Sequence, residues 1–133
     1  MSEIPVPVPT ELSRPFWEAA REGRLVLQKC GACGAFRWTP QVLCTVCLSE
    51  DSAWTPVSGR GRLYSYTIVH RPPLPAFAAP YVVAVVRLEE GPLMLSNIVD
   101  ADPAALAMEM PVEVVFQPLS DQITAYRFRP ARA

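Results

Sequence analysis

The sequence predicts a mainly β chain: an N-terminal helix and a rubredoxin-like zinc ribbon, then a five-stranded barrel of the OB type with a short helix between its third and fourth strands. Three observations predict this. All four cysteines lie in one stretch, as the pairs Cys30-Gly-Ala-Cys33 and Cys44-Thr-Val-Cys47. From Gly59 onward the texture changes to short runs rich in β-branched and aromatic residues. Those runs come as three strands, a short helix and two strands, the order of an OB barrel.

The chain divides into an arm and helix over 1–23, a ribbon over 24–58 and a barrel over 59–133. The arm, Ile4-Pro-Val-Pro-Val-Pro9, has alternating prolines that fix an extended backbone and remove amide donors. It is read either as a tail lying on its own protein or as an arm for a partner. Ser13 stands as an N-cap, Pro15 fits the first helical turn, Phe16, Ala19 and Ala20 form one apolar stripe, and Gly23 ends the helix. Arg24 to Lys29 alternates Leu25 and Leu27 with polar neighbours, a strand that feeds into Cys30.

The cysteine spacing is that of metal ligands. Two residues between thiols let a tight turn aim both at one ion, and a second such turn completes four sulfur ligands, the set structural zinc prefers. Gly31 and Gly34 give the turns backbone freedom. Two disulfides would need an oxidising compartment, and the start Met-Ser-Glu-Ile-Pro has neither a basic leader nor an apolar run, which points to the cytoplasm. A thioredoxin-like redox pair would use one such motif, not two facing each other. Iron in the same sulfur cage is the less favoured alternative, because spacing alone does not separate it from zinc. Four protein ligands close the site, so the ion builds structure and does no chemistry. Trp38 and Trp54 flank the metal loop and are read as packing around it, since so small a unit has no core of its own.

In the barrel, Arg60 to His70, Tyr81 to Leu88 and Leu93 to Val99 read as strands, the last two joined by the turn Glu89-Glu90-Gly91-Pro92. Glu89-Glu90 and Glu50-Asp51 read as solvated. Asp102-Pro103 followed by alanines predicts a helix of about two turns. Val112 to Gln117 and Ile123 to Phe128 close the set. Tyr81 to Val86 is apolar on both faces, so its outside needs a cover, either the N-terminal helix or another subunit. Between the first two strands runs a rigid, apolar, proline-rich loop, Arg71 to Pro80, of the kind that meets ligands or partners on small barrels.

Composition narrows the function classes. Hydrophobic residues make up 50% and charged residues 19% of the 133, which is greasy enough to suggest a partner. The longest uncharged candidate, Pro72 to Val86, is interrupted by prolines and too short to span a bilayer, so no membrane role is expected. A net charge of −1 argues against unspecific nucleic-acid binding. The basic residues are nevertheless eleven Arg against a single Lys, Lys29, so local carboxylate or phosphate sites stay open. A single-stranded nucleic-acid module, with Tyr64, Tyr66 and Phe77 stacking bases, is the alternative function.

The helix around Phe16-Trp17-Glu18, the ribbon, Gly59-Arg-Gly-Arg-Leu-Tyr-Ser-Tyr-Thr67, Pro80-Tyr-Val82 and Pro111-Val-Glu-Val-Val-Phe116 carry a resemblance. Together they resemble the zinc-ribbon plus OB-fold proteins, long called a domain of unknown function, that accompany thiolase-superfamily enzymes acting on acyl-CoA. The chain departs from the pattern at Leu48, where a glycine often follows the last cysteine, and at Glu109-Met110, where a glycine often precedes the fourth barrel strand. The resemblance implies a non-catalytic accessory subunit that stabilises a thiolase or a thiolase-like aldolase of steroid side-chain breakdown and helps form its acyl-CoA site. An enoyl-CoA hydratase is a further candidate partner. The residues agree independently: thiolase chemistry needs a free cysteine with histidine help, whereas every cysteine here is a candidate ligand and His70 is the sole histidine. Contacts to acyl-CoA or the partner are assigned to His70, Arg71, Phe77, Tyr81, Arg60 and Arg62, because guanidinium groups suit CoA phosphates and the loop is apolar.

Overall fold

The computed structural model describes residues 5–131. Ile4, the first residue of the proline-alternating arm, lies outside them. Helix α1 spans Arg14–Arg21 and buries Phe16, Ala19 and Ala20, as the apolar stripe requires. Ser13 holds the cap position without capping by its side chain. The reason is local: Pro15 has no N–H to offer and the Phe16 amide already bonds the Ser13 carbonyl at 3.0 Å, so the Ser13 hydroxyl accepts instead from the Thr10 amide at 2.9 Å. At the other end Gly23 has φ +79°, and the amides of Gly23 and Arg24 bond back to the carbonyls of Ala20 and Ala19. This left-handed closure satisfies two orphan carbonyls and suits glycine.

Three strands form the ribbon sheet: β1 (Val26–Cys30), β2 (Phe36–Arg37) and β3 (Ser52–Pro56), in the order β2-β1-β3, all antiparallel. The first strand starts two residues later than expected, and its alternation is lost because Leu25, Val26, Leu27 and Gln28 are all buried. Leu25 and Leu27 join the barrel core, while Val26 lies near Trp54 and the helix.

Five strands close into the barrel: β4 (Arg60–Val69), β5 (Tyr81–Leu88), β6 (Leu93–Ile98), β7 (Pro111–Pro118) and β8 (Thr124–Pro130). Their order is β4-β5-β6-β8-β7 with β7 returning to β4, and β6 meets β8 in parallel through Ile98 and Phe128. The register of β4 against β5 slips between Leu63 and Ser65. That bulge changes which residues point inward, from Gly61 and Leu63 before it to Tyr66 and Ile68 after it. The core is one continuous cluster in which Phe16 from the helix and Leu25 and Leu27 from the ribbon join Leu63, Val86, Met94 and Phe128 of the barrel.

Two expectations about connections are corrected. The helix after β6 is a single 3-10 turn, Pro103–Ala105, not two helical turns. The Asp102 side chain caps it through the Ala104 amide, but Leu106 then turns extended and buries its side chain, so burial of that leucine ends the helix early. Glu90 is not a free solvated charge: its carboxylate accepts from the Ser58 amide at 2.8 Å, pinning the β5–β6 turn to the segment that leaves the ribbon. Helix α1 packs mainly on β1, β7 and β8, which leaves the outward Val83 and Val85 of β5 half-buried.

Candidate metal centre and partner-facing surface

The two cysteine turns meet face to face. The Sγ atoms of Cys30, Cys33, Cys44 and Cys47 all lie within 4.8 Å of one another. Cys30 and Cys47, and likewise Cys33 and Cys44, stand 3.6 Å apart, too far for a disulfide bond. Tetrahedral coordination with metal–sulfur bonds of about 2.3 Å places sulfurs about 3.8 Å apart, so the cage has the dimensions of a four-coordinate ion. Cys30 and Cys44 are buried, whereas Cys33 and Cys47 face outward.

The backbone already treats the inner sulfurs as anions. Amides of Cys33 and Ala32 point at Cys30 Sγ, each at 3.4 Å, and the Val46 amide points at Cys44 Sγ at 3.4 Å. The Cys33 amide is the largest cause pulling the Cys30 thiol down to about 6, and the Cys47 and Val46 amides lower Cys44 likewise. Cys47 moves the other way, to about 11: the Ser49 amide lowers it, but the neighbouring Cys30 sulfur, burial, and the Cys33 and Cys44 sulfurs together outweigh that amide. Four crowded sulfurs with amides aimed at two of them make a donor set that a soft divalent cation satisfies.

Local geometry explains the surrounding residues. A Cβ at Gly31 would run into the Asp51 carboxylate, and the Gly31 amide bonds the Asp51 carbonyl at 2.8 Å, so the Asp51 backbone closes the first turn while Glu50 and Asp51 stay exposed, as expected. Arg37, buried in β2, braces the loop to the second turn: its Nε donates to Gln28 Oε1 at 3.1 Å and its Nη2 to the Gln41 carbonyl at 3.0 Å. Its Nη1 is buried with no hydrogen-bond partner among the described residues. Leu48 and Glu109, where glycine was expected, have φ +65° and +68°. Both turns therefore keep a left-handed shape with a side chain in place of the hydrogen that would fit it.

The ribbon, helix and barrel converge on Tyr126 of β8. Its ring meets Phe16 edge-on at 5.4 Å and Trp17 at 6.2 Å, and Trp38 lies near enough to act on its phenol. Burial pushes the phenol up to about 12, against the pull of Trp38 and the charge of Arg127. Trp38 and Trp54, expected to pack around the metal loop, are partly buried against the core shared by the helix, the first ribbon strand and the barrel.

The six residues assigned to acyl-CoA or partner contact fall into separate places. Arg60 and Arg62 border a cleft of about 220 Å³ with Arg87 and Glu109, and Arg62 donates to the Glu109 carbonyl at 3.0 Å. Phe77 and Tyr81 pack together, centroids 5.9 Å apart, at a second cleft of about 430 Å³. His70 and Arg71 are exposed on the loop between them. Arg127 was missed by the sequence analysis. It sits half-buried on the wall of the second cleft, and burial lowers its pKa. Its only signal in the sequence is an arginine placed between Tyr126 and Phe128 on an apolar strand. Of the aromatic side chains considered for base stacking, Tyr64 has the Arg87 guanidinium 4.7 Å above its ring, and Tyr66 packs on the core with its hydroxyl turned to the Leu106 carbonyl.

Comparison with known proteins settles the family. A family model described as the ChsH2 rubredoxin-like zinc ribbon domain matches residues 17–52, and one described as the ChsH2 C-terminal OB-fold domain matches residues 54–117. A "DUF35 domain-containing scaffold protein" of Methanothermobacter thermautotrophicus is 33% identical over 127 residues, covering 90% of this chain and 95% of that protein. The chain belongs to the DUF35 family. This DUF35 chain is also similar to a chain of the solved "Ltp2-ChsH2(DUF35) aldolase", with 38% identity and a TM-score of 0.86 over 95% of this chain and 99% of that one. The "Probable enoyl-CoA hydratase alpha subunit" of Thermomonospora curvata is 42% identical over 117 residues, 87% of the DUF35 chain. The DUF35 chain spans only 37% of that subunit's length. Among its described residues, no helix is long and apolar enough to cross a membrane.

Proposed function

We propose that this chain is a non-catalytic accessory subunit or domain of a thiolase-like acyl-CoA enzyme, a thiolase or a steroid side-chain aldolase, and that it stabilises the enzyme and helps form its acyl-CoA site. The observation that carries this is the end-to-end likeness to a chain of the Ltp2-ChsH2(DUF35) aldolase, at 38% identity. The chemistry supports it, because the four thiols are engaged with one another and His70 is exposed with no thiol beside it, so no nucleophile and base pair is available. The ion held by Cys30, Cys33, Cys44 and Cys47 is Zn2+, and its work is to fold the ribbon.

In this reading the units 1–23, 24–58 and 59–133 divide the labour. Helix and ribbon present a docking face, and the barrel with the loop 71–80 covers the partner's acyl-CoA channel. Covering the channel excludes water and positions the thioester. His70, Arg71, Phe77 and Tyr81 would touch acyl-CoA or the partner, with Arg60 and Arg62 meeting phosphate. An enoyl-CoA hydratase is a further candidate partner, suggested by the name of the Thermomonospora relative. The single-stranded nucleic-acid reading loses ground because Tyr64 and Tyr66 are already engaged by Arg87 and the core.

Co-expression with thiolase-superfamily enzymes of the same genome, followed by mass measurement of the purified species, tests the reading. A colourless complex holding one zinc per DUF35 chain is expected. A chain that elutes alone beside every such enzyme, or a coloured iron-bearing protein, contradicts it.

A further inference from the structure

Val83 of β5, Leu95 and Asn97 of β6 and Arg127 of β8 line one groove on the outside of the barrel, bordered by Pro5 and Pro7 of the N-terminal arm, Trp17 of α1 and Phe77 of the loop 71–80. Two adjoining clefts of about 320 and 430 Å³ meet there, and Phe77, Asn97 and Arg127 border both. Leu95 is 49% exposed and Val83 half-buried, so the greasy outer face of β5 and β6 has no complete cover among the described residues.

A cation is set into that apolar wall. Arg127 donates Nη1 to the carbonyl of its neighbour Tyr126 at 3.1 Å. The ion pairs of the described residues are Arg24 with Glu22 and Arg129 with Glu113, so among the described residues no carboxylate neutralises Arg127. A half-buried guanidinium that keeps most of its fork unused, in apolar surroundings, gains most from a planar monoanion that can lie against the fork. A dianionic phosphate carries a larger desolvation cost and calls for several cations, which the separate cleft of Arg60, Arg62 and Arg87 offers and this groove does not.

We propose that this groove is a docking site for an Asp or Glu side chain of a protein partner, flanked on the partner by an apolar residue that covers Leu95 and Val83. The proposal deepens the accessory-subunit reading and rests on it for the partner's identity. Charge pairing inside an apolar patch fixes register, and truncating one member leaves the other charge buried and unpaired.

Two measurements test it separately. In the isolated zinc-loaded chain, 3-phenylpropionate should shift the Arg127 Nε–Hε and Asn97 side-chain amide resonances saturably, whereas 3-phenylpropanamide and pyrophosphate should not. Arg127→Gln should abolish the shifts. Pyrophosphate acting in place of the carboxylate, or no response to either, overturns the carboxylate assignment. In the complex with the co-purified thiolase-like enzyme, Arg127→Gln should weaken association 10-fold or more, Arg127→Lys less, with the melting temperature of the isolated chain unchanged. Unaltered affinity in Arg127→Gln overturns the docking role even if the first measurement succeeds. Absence of any complex with the wild-type chain sinks the accessory-subunit reading and the partner assignment with it, and the first measurement still judges the chemistry of the groove.

Discussion

Around Cys44 and Cys47 the chain leaves Val42, Leu43, Val46 and Leu48 exposed, with Val46 72% and Leu48 71% accessible, whereas in the barrel Leu63, Val86, Met94 and Phe128 are wholly sealed from solvent. Both regions hold a defined shape, by different physics. The barrel is closed by paired strands around side chains that leave water, a stabilisation spread over many contacts. The metal turns have almost nothing to bury and depend on sulfur ligands converging on one point. Between them lies the seam at Tyr126, where aromatic contacts join the two. One chain therefore has a part held by its own burial and a part in which four sulfurs converge on one point, and the second leaves its apolar side chains exposed.

The contrast is broken most forcefully by removing the ion. Apparent binding energies of structural zinc in zinc-finger peptides are about 10 to 16 kcal/mol, so chelation or Cys44→Ser should melt residues 30–51 while barrel amides stay protected. Hydrogen exchange read segment by segment checks this, and equal loss of protection in β5 and β8 would erase the distinction between the regions. Next in size, Phe128→Ala should cost about 3 to 5 kcal/mol in denaturant unfolding and leave zinc affinity unchanged, because its void opens in the barrel core.

The seam responds to alkali. The Tyr126 phenol is raised from its ordinary value of 10.0 to about 12, so its contribution is complete below pH 10. Above that the unfolded chain ionises before the folded one, and stability falls as pH rises from about 10 to 12, by about 2 to 3 kcal/mol in all. Tyr126→Phe should remove that alkaline slope. Denaturation curves of both proteins at pH 8 and pH 11 check this, with about half of the loss expected by pH 11. The smallest effects come from the left-handed turns: Leu48→Gly in the ribbon and Glu109→Gly before β7 should each stabilise by about 1 kcal/mol, since φ near +65° strains a side chain and suits glycine. A Leu48→Gly gain that appears only in zinc-loaded protein would sharpen the regional difference.

Legibility in the sequence follows how local each cause is. Cys30, Cys33, Cys44 and Cys47 could be brought together on paper because ligand spacing is a local constraint, and the barrel order followed from runs whose strand character is carried by their own residues. Ser13 failed as a side-chain cap because of Pro15, two residues away and visible in the sequence. The expected two-turn helix shrank to Pro103–Ala105 because Leu106 is drawn into the core, which only the tertiary structure decides. Tyr126 and Arg127 were overlooked for the same reason: one acquires its role from Phe16, Trp17 and Trp38, far away in the chain, and the other from an acidic partner it lacks among the described residues. At Leu48 and Glu109 the left-handed turn shape is kept without glycine, and the backbone bears the strain.

The accessory role is tested most directly by acyl-CoA turnover of the co-purified thiolase-like enzyme, measured with and without this chain, alongside the chain alone. The account predicts no turnover by the chain alone, and a rise in both rate and melting temperature of the enzyme when the zinc-loaded chain is added. An enzyme whose rate and melting temperature are the same in its presence and absence, or a chain that turns over the thioester unaided, would contradict it.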